Sequence, residues 1–195
     1  MNITSLYALA SFAFVSSITP GPNNFMLLAS GVNYGFRRTI PHLLGVSFGF
    51  TLMIVIVGAG IAELFESWPV AFKVLKILSV IYMLWLAWKI VNSGSPHSKT
   101  NDKKPMSFLQ ASLFQWINPK AWTMAIAAIT IYTPNHDMKT VYVVALVFGL
   151  INLPSVGCYA LMGQKLSGWL SHNHQLRIFN LVMATLLILS LVMIL

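Results

Sequence analysis

Two short stretches of this chain place helix-breaking residues next to amide and amine side chains inside apolar sequence. The first is Ile18-Thr19-Pro20-Gly21-Pro22-Asn23-Asn24; the second is Gln115-Trp116-Ile117-Asn118-Pro119-Lys120-Ala121-Trp122. A proline in a helix interior has no N–H to give and clashes with the carbonyl four residues back. Pro20 therefore frees the carbonyl of Ser16, Pro22 that of Ile18, and Pro119 that of Gln115. Gly21 adds the largest backbone-entropy cost of any ordinary residue in a helix. The freed carbonyls accept hydrogen bonds, and the amides of Asn23, Asn24 and Asn118 both donate and accept. A helix restarting after Pro22 or Pro119 presents unpaired N–H groups and partial positive charge, and Lys120 adds a full charge.

Such a set holds a zwitterion, with an ammonium on carbonyls and amides and a carboxylate on Lys120 and the helix N–H groups. The candidate substrate-binding residues are Thr19, Pro20, Gly21, Pro22, Asn23, Asn24, Trp116, Asn118, Pro119 and Lys120, with Trp116 offering a cation–π face. Two readings of Lys120 stand side by side. A lysine at the centre of a membrane helix costs about 2.5–3.5 kcal/mol on insertion scales and needs a partner. That partner is either a substrate carboxylate or the carbonyls freed at the break, with snorkelling to an interface as a variant of the second. Trp122 and Tyr132 also have two readings, as lining of the site or as lipid-facing and interfacial aromatics.

Equally informative is the chemistry that is missing. No Asp or Glu falls inside an apolar segment, and His42 lies at the edge of one. An intramembrane enzyme needs paired acids, a Ser-His or Ser-Lys pair, or a metal cluster, and metal-ion export needs carboxylate or histidine ligands. His172 and His174 are two apart in a linker without a carboxylate, too little for a metal site. The single cysteine, Cys158, excludes an internal disulfide and is expected to serve packing. No cofactor motif is present.

The elements that must position these residues are membrane helices. The chain has 195 residues, 57% hydrophobic and 8% charged, with mean hydropathy +0.75. Soluble domains carry about 25% charged residues. The net charge of +8 fits the surplus of Lys and Arg in cytoplasmic loops, and no basic-aromatic patch suggests nucleic acid. The first apolar run is too long, and lacks the basic start, for a cleavable signal peptide.

Spans of about 20 apolar residues are expected at 5–30, 41–62, 70–91, 108–131, 140–163 and 176–195. Arg37 and Arg38, then Lys99, Lys103 and Lys104, then Lys165 and Arg177 fall in alternate loops. These loops are expected to be cytoplasmic and both termini periplasmic. Glu63 and Glu66 mark the second loop and Asp137 with Lys139 the fourth. Gly31-x-x-x-Gly35 and Gly45-x-x-x-Gly49 predict close helix packing, and Trp85 and Trp88 beside Lys89 predict interfacial anchoring.

Pro119 lies 99 residues after Pro20, about half the chain length. One transmembrane domain, 1–195, is expected as two inverted three-helix repeats, 1–92 and 106–195, joined by a cytoplasmic loop at 93–105. The first and fourth helices are broken. Paired broken segments in two halves point to a transporter site. A membrane channel and an intramembrane enzyme are the alternatives.

Thr19-Pro20-Gly21-Pro22-Asn23, Gly35-Phe36-Arg37, Asn118-Pro119-Lys120 and Tyr82 with Leu86-Ala87-Trp88-Lys89 resemble the LysE/RhtB family of bacterial amino-acid exporters. The doubled Asn23-Asn24 and the Leu86-Ala87-Trp88-Lys89-Ile90 run are most similar to its cysteine/O-acetylserine exporter branch. The resemblance implies an inner-membrane exporter of amino acids or close derivatives, driven by an ion gradient. Its partners would be an amino-acid substrate, a coupling ion (the proton) and the lipid bilayer; a homo-oligomer stays open. A site with one cation and no carboxylate suits a small neutral amino acid.

Overall fold

The computed structural model describes residues 1–61, 69–93, 104–134, 137–170 and 173–190, which are helical with short connections and contain no strand. Helix α1 (Ile3–Ile18) starts on Asn2, whose side chain accepts the Ser5 N–H at 2.8 Å. It is followed by α2 (Pro22–Tyr34) and α3 (Phe36–Ile56). A further turn, Val57–Ile61, is distorted at Gly60, whose φ of 102° favours glycine. Next come α4 (Pro69–Val91) and α5 (Phe108–Phe114), which tightens into a 3-10 turn at Gln115–Ile117. The chain continues with α6 (Pro119–Tyr132), α7 (Met138–Ser167) and α8 (Asn173–Leu189).

Among the described residues, two segments are long and apolar enough to cross a membrane. Phe36–Ile61 has 26 residues and mean hydropathy 2.2, and Met138–Ser167 has 30 residues and mean hydropathy 2.0. Helices α1 and α2 pass the same test as one span bent by 55°, and α4 holds a shorter apolar stretch, Ile77–Val91. The protein is an all-α membrane protein.

Several expected boundaries move. Gly35 alone separates α2 from α3, so Arg37 and Arg38 lie in the first turn of α3 rather than in a loop. Lys165 belongs to α7, while His174 and Arg177 belong to α8. Polar residues at helix ends continue the helix because the backbone hydrogen bonds extend past the apolar run. The expectations for Glu63, Glu66, Lys99, Lys103 and His172 lie outside the described residues, as do most of loop 93–105 and the end of span 176–195.

Helix α7 is the central post, packing along α1, α2 and α3, while α3 also packs on α5, and α4 pairs with α8. Small residues set the distances. A Cβ on Gly31 would lie 2.2 Å from the Ala160 carbonyl oxygen, and one on Gly163 would lie 2.3 Å from that of Leu28. Gly45 and Gly49 bring α5 onto α3, where added Cβ atoms would fall 2.3 Å from the Phe108 oxygen and 2.6 Å from the Ser112 Cα. Gly35 does a different job from the packing expected of it. Its φ of 78° turns α2 into α3, and the next N–H, on Phe36, donates to the Gln164 side chain at 2.7 Å.

The main core gathers Leu9, Phe50, Met53, Trp122, Val144 and Phe148 from α1, α3, α6 and α7. Phe148 meets Phe12 and Phe50 edge-on at 5.7 and 5.5 Å. Tyr132 packs against this core, 6.1 Å from the Phe12 ring, instead of forming only an interfacial belt. Trp85 and Trp88 are exposed, and the Lys89 ammonium sits 5.3 Å from the Trp85 ring. Cys158 is exposed, so it does not serve packing within the chain.

Candidate functional site

The two breaks meet. Helix α1 ends when the Thr19 N–H bonds the Val15 carbonyl at 3.0 Å, and α2 begins when the Phe25 N–H bonds that of Gly21. Between them Pro20 and Pro22 supply no N–H, and side chains satisfy the carbonyls of Ser17, Ile18 and Thr19. Asn24 Nδ2 donates to Ser17 O at 3.0 Å and to Thr19 O at 2.9 Å. The Tyr159 hydroxyl of α7 donates to Ile18 O at 2.7 Å. Lys120 Nζ, reaching across from the second break, donates to Thr19 O and lies 3.5 Å from Pro20 O.

The second break is closed locally. Asn118 N–H donates to Gln115 O at 3.2 Å, and Asn118 Oδ1 caps α6 by accepting the Lys120 N–H at 3.2 Å. The Ile18 and Gln115 carbonyls expected to receive an ammonium are thus already engaged, by Tyr159 and by the tight turn at Asn118. Lys120 takes the second of its two readings in this conformation, capping carbonyls at the opposite break. Asn23 and Gln115 tie the breaks with a reciprocal amide pair, at 2.8 Å from Asn23 Nδ2 and 3.2 Å from Gln115 Nε2.

Lys120 lies between two spaces. A polar cavity of about 20 Å³ is lined by Ser16, Ser17, Asn23, Asn24, Asn118 and Asn152, among others. Asn152 Nδ2 donates to Ser17 Oγ at 3.1 Å, but its buried Oδ1 has no partner. Lys120 also lines a cleft of about 420 Å³, walled by Thr19, Pro20, Phe25, Thr123, by Leu186 and Leu189 of α8, and by Ser190 just after it. That volume falls in the range of small-molecule sites. No acidic side chain lines either space among the described residues. Gly21 makes room for the lysine, since an added Cβ would lie 2.7 Å from Lys120 Cδ.

Of the expected residues, Thr19, Pro20, Gly21, Pro22, Pro119 and Lys120 line the cleft, and Asn23, Asn24 and Asn118 line the small cavity beside it. Trp116 lines neither. Its ring stacks edge-on with Trp122 at 5.9 Å, and its carbonyl accepts the Trp122 indole N–H at 2.8 Å. Trp122 thus belongs to the core, with Trp116 packed against it. Four contributors were not singled out by their side chains: Ser17, Gln115, Asn152 and Tyr159. The available signal was a lone amide in an apolar run, as at Ile151-Asn152-Leu153; a polar group there needs a buried partner.

Paired broken helices in a membrane protein are a pointer to a transporter site, and comparison with known proteins gives the family. The model of the family described as LysE type translocator matches residues 14–193. The chain belongs to the LysE type translocator family. The cysteine/O-acetylserine efflux protein of Escherichia coli (strain K12) is 32% identical over 194 residues, 96% of this chain and 96% of the relative. The protein of the same name from Salmonella typhimurium (strain LT2) is 32% identical over 186 residues, 94% and 93% of the two chains. That from Salmonella typhi is 31% identical over 186 residues, with the same coverage. No solved structure matches the chain. The LysE match runs through both breaks, so the whole site described above lies within the family's span.

Proposed function

We propose that this protein exports small neutral amino acids or close derivatives, of the cysteine/O-acetylserine kind, across the bacterial inner membrane. The observation that carries this reading is Lys120, a cation held among the described residues by backbone carbonyls and opening onto a cleft of about 420 Å³ whose described wall contains no acid. A substrate carboxylate is a stronger acceptor for an ammonium than a neutral carbonyl, because charge-assisted bonds are roughly twice as strong as neutral ones. The carbonyls of Thr19 and Pro20, released when Lys120 turns to the carboxylate, would receive the substrate ammonium. A cationic substrate would need a side-chain acid, which the described residues of the wall do not include. Phe25, Leu186 and Leu189 suit a short apolar stem, and Thr19, Thr123 and Ser190 a polar tip.

The proposed mechanism is ion-coupled alternating access by two inverted halves, 1–92 and 106–195. Support comes from the packing pattern. The broken first segment lies on α7 and the broken fourth segment on α3; α4 pairs with α8, and α3 with α7. Exchanging the halves maps each of these pairings onto another or onto itself.

The test is export from cells overexpressing the protein, with the amino acids in the medium identified. Cysteine or O-acetylserine is expected to accumulate, and Lys120→Ala should abolish this while the protein remains inserted. Undiminished export by Lys120→Ala would refute the assignment of the site.

A further inference from the structure

A second cavity, of about 50 Å³, lies between α2, α4 and the segment before α5, and its wall changes character along its length. On α2 it runs from Met26 through Ser30 to Asn33, and on α4 from Leu86 through Lys89 to Ser93. Each helix thus contributes one face over about two turns, roughly 10 Å. Met26 and Leu86 belong to a buried apolar cluster. The polar end is braced, since Asn33 exchanges hydrogen bonds with Asn180 of α8 at 2.8 and 3.1 Å. Asn180 in turn donates to the Ser93 carbonyl at 3.3 Å.

Two lysines from different elements line the same space, Lys89 of α4 and Lys104 of the segment before α5, and no acid lines it among the described residues. Lys104 is exposed and Lys89 half-buried, so the cationic end reaches the surface. A simpler account has Lys89 answer only the carbonyls at the end of its own helix. A helix C-terminus carries about half a unit of negative charge, and both α2 and α4 end here. Together they offset about one of the two positive charges, and about one is left over. The guanidinium of the exposed Arg38, 5.8 Å from the ring of Tyr34 in the cavity wall, raises the potential further. The cavity exceeds the roughly 10–15 Å³ that one water requires, so it admits a group of several atoms.

The depth of the cavity narrows the choice of anion. The apolar stretch Ile77–Val91 ends here. Trp85 and Trp88, exposed beside Lys89, are the residue type that gathers at the membrane–water interface. Lipid phosphates lie at that depth, with the glycerol and acyl chains on their apolar side, and basic pockets between membrane helices bind such headgroups. We infer that this cavity binds the phosphate of an anionic phospholipid, with Lys89 and Lys104 on the phosphate and the Met26–Leu86 side toward the glycerol. A soluble anion would match the charge but not the apolar side. The inference concerns a site apart from Lys120 and does not depend on which substrate is exported.

The test uses the full-length protein in a neutral detergent, titrated with phosphatidylglycerol or with phosphatidylcholine of the same acyl chains. Native mass spectrometry counts the lipid retained. The wild type should hold one phosphatidylglycerol with a preference of about 25-fold, from about fivefold per lysine near a membrane surface. Lys89→Gln combined with Lys104→Gln should bring the preference to within about twofold of none, and the matching pair of Arg substitutions should keep it. Lys104→Gln alone, at an exposed position, should lose about fivefold and decides the matter where the double variant does not fold. Lys165→Gln, at an exposed lysine outside the cavity wall, should change nothing. Equal retention of the two lipids by the wild type, or an equal loss in Lys165→Gln, would overturn the inference. Displacement of the lipid by inorganic phosphate would assign the site to a soluble anion, and displacement by O-acetylserine to a substrate carboxylate. Either result would overturn the lipid assignment.

Discussion

At the scale of single residues, the break is held by side-chain amides more than by backbone. Asn24, 3% exposed, spends both donors on the Ser17 and Thr19 carbonyls. Its sequence position marked it as a ligand group, and the structure gives it a bracing job. Asn24→Ala should therefore destabilise the protein by about 1–3 kcal/mol, since Ser17 O loses its donor while Thr19 O keeps Lys120. Thermal unfolding in detergent measures this, and an unchanged transition would count against the brace. Lys120 was legible as a cation needing a partner. Which carbonyls it would find was not, because Thr19 and Lys120 are 101 residues apart and only the fold brings them together. Asn33 and Asn180, 147 apart, were illegible for the same reason. An isolated amide announces that it needs a partner but not which one.

At the scale of elements, prolines and glycines made the architecture readable, though not which glycine does what. Pro20, Pro22 and Pro119 break helices for a local covalent reason, and the breaks fall where the sequence puts them. The glycines separate into those that meet backbone, such as Gly163, and those that meet side chains, such as Gly21. A Cβ on Gly163 would come 2.3 Å from the Leu28 carbonyl oxygen, so α2 and α7 would have to part. At Gly21 the obstacle is the aliphatic part of Lys120, which can swing aside, and the extended backbone there, with φ −176°, suits any residue. The two substitutions should thus differ in kind. Gly163→Ala is expected to lower the yield of folded protein and its thermal stability by about 1–3 kcal/mol, the cost of overpacking. Gly21→Ala is expected to leave the folded yield intact and reduce export by displacing Lys120 from its carbonyls. Measuring yield, melting and export for both variants separates the roles, and a fully active Gly21→Ala protein would show that the position of Lys120 does not matter.

At the scale of the whole molecule, the open question is how the helices sit in the bilayer, and here charge and topology make one joint prediction. Helices α1 and α2 count as one bent span, and on the inverted-repeat reading proposed above the α5–α6 pair is its counterpart in the second half. With α3, α4, α7 and α8 this reading predicts six crossings and both termini on one side. The basic residues Arg37, Arg38, Lys104, Lys165 and Arg177 cluster at alternate connections, and the positive-inside rule assigns those ends to the cytoplasm. Single cysteines test this once the exposed Cys158 is replaced by serine. A cysteine at Asn2 and one at Met138 should react with a membrane-impermeant maleimide added to intact spheroplasts. A cysteine at Ser107 or Ser167 should react only after the membrane is opened. Labelling of Asn2→Cys and Ser107→Cys from the same side would require an even number of crossings between them. The first half would then cross twice or four times rather than three, and could not be the inverted partner of the second. The two half-helix N-termini at Pro22 and Pro119 would then no longer be directed at the site from opposite faces of the membrane. On the proposed mechanism, that opposition would let one cleft beside Lys120 be reached first from one side and then from the other.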